Sequence, residues 1–215
     1  MAIIVAFATQ KGGSGKSTLT AITAAAIHNR TKKKVLIIDA DKQGTLRDLR
    51  ELEGNPDNGV PVEFFNWQQK GSHEKFIDLV DKSDQEYDLI FIDSPGRIDE
   101  KETNLIISAS DIVVVPLVAS PFDVKSARAF LDEIKPLVDK QDKTVVGIIN
   151  KRDRTVEHAI LSGLDGYNGM ELMTAYISNL ARYKRDVSTV NEITSPDDPT
   201  DEYNQYIKEF LKLIK

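Results

Sequence analysis

Cysteine is absent from this sequence, which excludes structural disulfides and thiolate metal sites. Histidine is scarce: His28, His73 and His158 stand far apart with no ligand spacing, and no role is assigned to them. No apolar run approaches the roughly 20 residues of a membrane-spanning helix. The opening MAIIVAF carries neither the basic start nor the cleavage site of a secretory signal, so a cytoplasmic protein is expected. Internal repeats and low-complexity tracts are missing too. What remains is 215 residues, 40% hydrophobic and 29% charged, which fit one globular domain spanning residues 1–215. A net charge of −6 argues against wholesale wrapping by nucleic acid and leaves room for a local basic patch.

Residues 2–8 form a nearly continuous apolar run, the pattern of a strand buried on both faces. Residues 16–29 read as a helix, 32–41 as a second strand ending in acids, and 45–52 as a helix. Gly, Pro and Asn mark 53–59 as a loop, and a short strand at 62–67 leads to a helix over about 72–82. Strand 87–96, helix 101–109, strand 111–119, helix 122–138 and strand 143–150 follow, with Pro136 expected in the last turn of its helix or beyond it. From there to about 190 the expectation is a helix, a short strand near 173–177 and basic loops; residues 201–215 close the chain as an amphipathic helix. This alternation predicts an α/β fold with a doubly wound, mostly parallel sheet, helices on both faces, and ligands at the carboxyl ends of the strands.

The chain is organised around IIVAFATQKGGSGKSTLT at residues 3–20, an apolar run broken by a glycine-rich turn that opens into a helical pattern. Glycines at 12, 13 and 15 let backbone N–H groups point inward around a polyanion, and the following helix aims its positive end at the same place. Lys16 is then placed to reach terminal phosphates and the Ser17 hydroxyl to ligate Mg²⁺. The strict phosphate-loop pattern has glycine where this chain has Gln10, and Lys11 adds a second cation at the far lip of the loop. KGGSGKST resembles the deviant Walker A box of the ParA/MinD family of P-loop ATPases. That resemblance implies ATP with Mg²⁺, held in a cradle of Gly12, Gly13, Ser14, Gly15, Lys16, Ser17 and Thr18. It also implies that Lys11 crosses a nucleotide-sandwich homodimer to the phosphates bound by the other subunit. The missing cysteines set this chain apart from the iron–sulfur branch of the family.

Two strands end in aspartate: IIDADKQGT carries Asp39 and Asp41, and LIFIDSPG carries Asp93. A carboxylate at the tip of a strand beside the loop can hold the Mg²⁺ shell, and Asp93 after its apolar run fits that position. DADKQGT resembles the family's first switch, with Lys42 where a proline is usual; by that resemblance Asp41 orients the attacking water and Asp39 supports it near the metal. Ser94-Pro95-Gly96 corresponds to the second switch. The stretch DIVVVPLVASPFDVKSA looks like short plasmid-partition members related to ParF, with the SPFD segment near the dimer face. Asn150 ends a strand as the family's adenine contact does, and a turn asparagine is the alternative; Asn150-Lys151-Arg152-Asp153 also fits the NKxD pattern of guanine readers.

Lys151, Arg152 and Arg154 form one basic cluster and Arg182, Lys184 and Arg185 another; each is either a solvated face or, as the resemblance implies, a surface for nonspecific DNA. Ile207, Phe210, Leu211 and Ile214 share one face of the last helix, which points to core docking ahead of membrane binding. Taken together, the resemblance implies a ParA-type partition ATPase on the nucleoid: dimeric with ATP, bound to nonspecific DNA, and stimulated by a ParB-like centromere-binding protein. The alternatives are a MinD-like membrane-cycling ATPase and a nucleotide-switched binding module with little hydrolysis.

Overall fold

The computed structural model describes residues 1–54, 58–96, 100–118, 120–152, 163–178, 181–193, 198 and 201–215, with the side chains of Glu100 and Arg152 outside that description. Its strands are β1 (Ile3–Phe7), β2 (Val35–Asp39), β3 (Val62–Phe64), β4 (Leu89–Asp93), β5 (Ile112–Leu117), β6 (Thr144–Arg152) and β7 (Glu171–Ser178). Between and after them run α1 (Lys16–Arg30), α2 (Thr45–Leu52), α3 (Ser72–Glu86), α4 (Glu100–Ala109), α5 (Pro121–Gln141), the short α6 (Arg182–Arg185) and α7 (Glu202–Leu213). The strands form one sheet in the order β3-β2-β4-β1-β5-β6-β7. Every pairing is parallel, so the mostly parallel expectation is exceeded.

Side-chain alternation explains the two layers. Val5 and Phe7 of β1 join a core with Leu19 and Ile22 of α1 and with Tyr206 and Phe210 of α7, whereas Ile4 and Ala6 face Phe76 of α3 and Ile106 of α4. Farther along the sheet, α5 covers the second face with Phe130, Leu131 and Ile134. Helices therefore lie on both faces, and the strand order reverses at β1, whose neighbours are β4 and β5.

Several expected boundaries move, each for a physical reason. The helix drawn to residue 82 continues to Glu86, because Ser83 and Val80 remain buried against the sheet. Pro136 lies inside α5, which runs on to Gln141; burial of Ile134 and Val138 outweighs the one hydrogen bond that proline cannot make. Lys32, Lys33 and Lys34 precede β2, which begins at Val35. The helix expected after Asn150, together with Asp153, Arg154 and His158, lies outside the described residues.

The last helix docks in the core. Phe210 stacks on Phe7 at 6.4 Å and packs against Phe91 at 5.9 Å, while the Tyr206 hydroxyl and Thr23 Oγ1 are 2.7 Å apart. Its acids are tied to the edge strand β7: Glu209 accepts from the Thr174 and Ala175 amides at 2.9 and 2.8 Å, and Glu202 from the Ser178 amide at 3.0 Å. Ile207 and Phe210 are fully buried, so the apolar stripe is core and is not displayed to solvent.

Candidate functional site

β1 ends at Phe7 and α1 starts at Lys16, so the glycine-rich segment must reverse at the carboxyl edge of the sheet. Gly13 and Gly15 adopt left-handed φ of 76° and 93°. A Cβ on Gly15 would stand 2.1 Å from Asn150 Nδ2, so this position has neither the backbone freedom nor the space for another residue. Gly15 also caps α1 with no side chain bonding its first amides, which leaves the positive end of the helix facing the turn. Gly96 of the second switch presses on the same loop: a Cβ there would lie 3.1 Å from Gly12 Cα.

Around this loop opens a cleft of about 790 Å³, lined by Gly12, Gly13, Gly15, Ser17 and Thr18, by Asp41 and Pro95, and by the lysines Lys11, Lys16, Lys42, Lys151 and Lys184. Its lining is strongly cationic, since among the described residues that line it Asp41 is the one carboxylate set against those lysines. Such a cleft suits a ligand carrying several negative charges.

Lys16 is buried, and its Nζ lies 3.3 Å from the Lys11 carbonyl. Burial lowers its pKa, with the charges of Asp93 and Asp41 acting in the opposite direction. Asp93, at the end of β4, is fully buried, and among the described residues neither carboxylate oxygen has a hydrogen-bond partner. Desolvation pushes its pKa up to about 8; the nearby Ser17 hydroxyl and Lys16 favour the charged form without meeting hydrogen-bond geometry, and Asp39 and Asp41 oppose it. A buried carboxylate left without partners is costly unless a ligand completes it. Beside Ser17 and a polyanion site, a hydrated divalent cation fits that vacancy of partners. Among the described residues no cluster of three or more acids or histidines could hold a metal alone, so a cation here would rely on ligand oxygens as well.

Asp39 is held by backbone amides. Its register partner across the sheet is Asp93, yet its carboxylate accepts from the amides of Leu46 at 2.9 Å, Arg47 at 3.0 Å and Asp41 at 3.2 Å. Burial raises its pKa and those three amides lower it. Asp39 therefore braces the switch segment and the start of α2. Asp41 is half-buried at the cleft, with Oδ1 accepting from the Gln43 amide at 3.0 Å.

β6 supplies a second brace. Asn150 is buried and donates from Nδ2 to the Ser14 carbonyl at 2.6 Å; Lys151, in a left-handed conformation with φ 54°, donates from Nζ to the Gly13 carbonyl. The Asn150 side-chain amide thus braces the loop. At the other lip Lys11 is ion-paired with Asp123 of α5.

A family model for the CobQ/CobB/MinD/ParA nucleotide binding domain matches residues 5–209. This chain belongs to that family. The match spans the glycine-rich loop, the strand-end Asp93 and all seven strands from Val5 onward. The chain is 30% identical over 151 residues to the chromosome-partitioning ATPase Soj of Thermus thermophilus, a match covering 59% of each. It is 25% identical over 135 residues to maintenance of carboxysome distribution protein A of Halothiobacillus neapolitanus, covering 62% of this chain and 59% of that one. The chain thus spans under two thirds of the length of either relative. Its fold matches a plasmid partition protein of Borrelia burgdorferi B31 bound to AMPPNP, with a TM-score of 0.70 at 20% identity, covering 99% of this chain and all of that one.

Of the two basic clusters, Lys184 and Arg185 are exposed and Arg182 is half-buried. Arg182 forms two hydrogen bonds to Asp201, at 2.7 and 3.1 Å, and Arg185 pairs with Asp186. Lys151 and Lys184 line the cleft. Arg154 falls outside the described residues, as does the side chain of Arg152. The contact of Asp123 with Lys11 and the place of Lys184 in the cleft are what spacing does not give: both residues are remote from the glycine-rich motif, and the fold brings them there.

Proposed function

We propose that this protein is a ParA-type partition ATPase that binds MgATP, closes into a nucleotide-sandwich dimer, holds nonspecific DNA and releases it after hydrolysis stimulated by a ParB-like partner. The observation that carries the reading is the nearness of two buried charges at the glycine loop, Lys16 and an Asp93 whose carboxylate oxygens have no hydrogen-bond partner among the described residues. The 30% identity to Soj supports DNA as the track, and the buried stripe of α7 weighs against a membrane-borne cycle in the cytoplasm. The match to a carboxysome distribution protein supports a second cargo, a protein assembly moved over the same nucleoid surface.

The chemistry is transfer of the γ-phosphoryl group to water: a water oxygen bonds to phosphorus, the bridging bond breaks, its electron pair leaves with ADP, and the water's proton passes to solvent as inorganic phosphate forms. Lys16 and the loop amides of residues 12–18 hold the phosphates and stabilise the charge that develops on them. Ser17 and Asp93 are the residues that would hold Mg²⁺, which supplies charge neutralisation on the phosphate oxygens when bound. Asp41 orients the attacking water, Lys11 reaches the phosphates of the opposing subunit, and Asp39 keeps the Asp41 segment in place. Asn150 and Lys151 keep the Ser14 and Gly13 carbonyls turned out of the phosphate cradle. The direct test is phosphate release by Asp41→Ala: the reading expects ATP binding retained and hydrolysis reduced by about 100-fold or more. Equal rates would leave a nucleotide-switched binding module.

A further inference from the structure

Lys11 carries one ammonium and has two claims on it. Within its own subunit it is ion-paired with Asp123 Oδ1. Asp123 is fixed by its own helix start: Ser120 caps α5, its Oγ accepts from the Asp123 amide at 3.2 Å, and its hydroxyl donates to Asp123 Oδ2. One carboxylate oxygen is therefore committed to the cap and the other to Lys11. The Asp123 side chain is 9% exposed and that of Lys11 is 43% exposed, so the anion is anchored and the cation, on its long stem, is the part free to leave. The Lys11 carbonyl meanwhile lies 3.3 Å from Lys16 Nζ, so the residue that touches Asp123 also touches the phosphate-binding lysine.

A single ammonium cannot pair closely with Asp123 in its own subunit and with a triphosphate in the other. Resting on the cross-subunit role given to Lys11 above, we propose that Asp123 is a positioning residue that holds Lys11 back, and that exchange of Lys11 from Asp123 to the opposing subunit's nucleotide sets the threshold for dimer formation. The pair keeps the nucleotide-free protein monomeric by withholding the lysine. Bound triphosphate on an approaching subunit offers a stronger anion and wins the exchange.

The test uses the full chain with AMPPNP and measures the dimer dissociation constant by sedimentation. Asp123→Asn keeps an acceptor for the Ser120 hydroxyl and removes the charge that holds Lys11. Two subunits must each release a lysine, so a roughly two- to threefold gain per subunit compounds to dimerisation tightened about 4- to 9-fold. Unstimulated phosphate release at limiting protein should rise with it, and melting temperature should stay nearly unchanged. A merely structural role for Asp123 would not depend on Lys11, so the double variant Lys11→Ala/Asp123→Asn is the control: it should behave as Lys11→Ala alone. A wild-type dimer constant for Asp123→Asn, or a gain that survives in the Lys11→Ala background, overturns the proposal. If Lys11→Ala dimerises normally, the cross-subunit reading fails and the exchange falls with it. Should Asp123→Asn misfold, amine labelling of the nucleotide-free wild type decides: Lys11 should react more slowly than the exposed Lys208, and equal rates overturn the pairing.

Discussion

Replacing Asp93 with asparagine should stabilise the nucleotide-free protein at alkaline pH while abolishing its response to magnesium. Asp93 is fully buried, has no hydrogen-bond partner among the described residues, and has a pKa raised from 3.8 to about 8. A raised folded-state pKa in an acid means that the folded chain keeps a proton the unfolded chain has already lost. Stability from this group is therefore complete below 3.8, falls as pH rises, and levels off above about 8. At about 1.4 kcal/mol for each tenfold change in proton affinity, that interval corresponds to a cost on the order of 5 kcal/mol. Asparagine removes the charge and retains a buried amide costing roughly 1–3 kcal/mol, so the net gain at pH 8.5 is about 2–4 kcal/mol. For a chain of this size that raises the melting temperature by roughly 4–16 °C. At pH 5, where wild-type Asp93 is already protonated, the two proteins should melt within a few degrees of each other. The assay is thermal unfolding without nucleotide from pH 5 to 9, read as the difference between wild type and variant, and repeated with MgATP. An asparagine variant less stable than wild type at pH 8.5, or a difference that does not change with pH, would refute the claim that Asp93 is a buried carboxyl whose ionised form awaits a cation.

Other expectations follow from the same geometry. Gly15→Ala should lose detectable ATP binding by calorimetry, because its Cβ would collide with Asn150 Nδ2, and the double variant with Asn150→Ala should recover folding before it recovers binding. Lys184→Glu should weaken ATP binding about 10-fold in a fluorescence titration, whereas Arg185→Glu, at a side chain paired outside the cleft, should change it less than twofold. Phe210→Ala should cost about 3–5 kcal/mol in chemical denaturation, and deletion of residues 203–215 should unfold the protein instead of freeing it from liposomes. Competition between ATP and GTP should favour ATP, since the Asn150 amide is already engaged by the loop; preferential GTP binding would restore the guanine-reading alternative.

The features legible in the sequence are those whose chemistry is local. The loop from Gly12 to Thr18 dictates its own turn, because glycines supply the left-handed backbone and Lys16 and Ser17 follow at fixed spacing. The buried strands announce themselves as apolar runs, and Asp93 sits where such a run ends. Asp39 shows the limit: its position at a strand tip is plain from sequence, but the amides of Leu46 and Arg47 that claim its oxygens belong to a helix whose placement the pattern does not fix. The basic cluster at 182–185 shows the same limit, since the partner of Arg182 is Asp201, 19 residues on. Asp123 and Lys184 could not be found by spacing at all; parallel crossovers carry them to the carboxyl edge from α5 and α6.

The central claim is that each active site is completed by the Lys11 of the opposing subunit. Mixing two separately inactive proteins, Lys11→Ala and Asp41→Ala, tests it most directly. In a mixed dimer one site has both its own Asp41 and the other subunit's Lys11 intact, so phosphate release should return to about a quarter of the wild-type rate at equal mixing. A mixture as inactive as its parts, under conditions where mixed dimers are shown to form, would contradict the account.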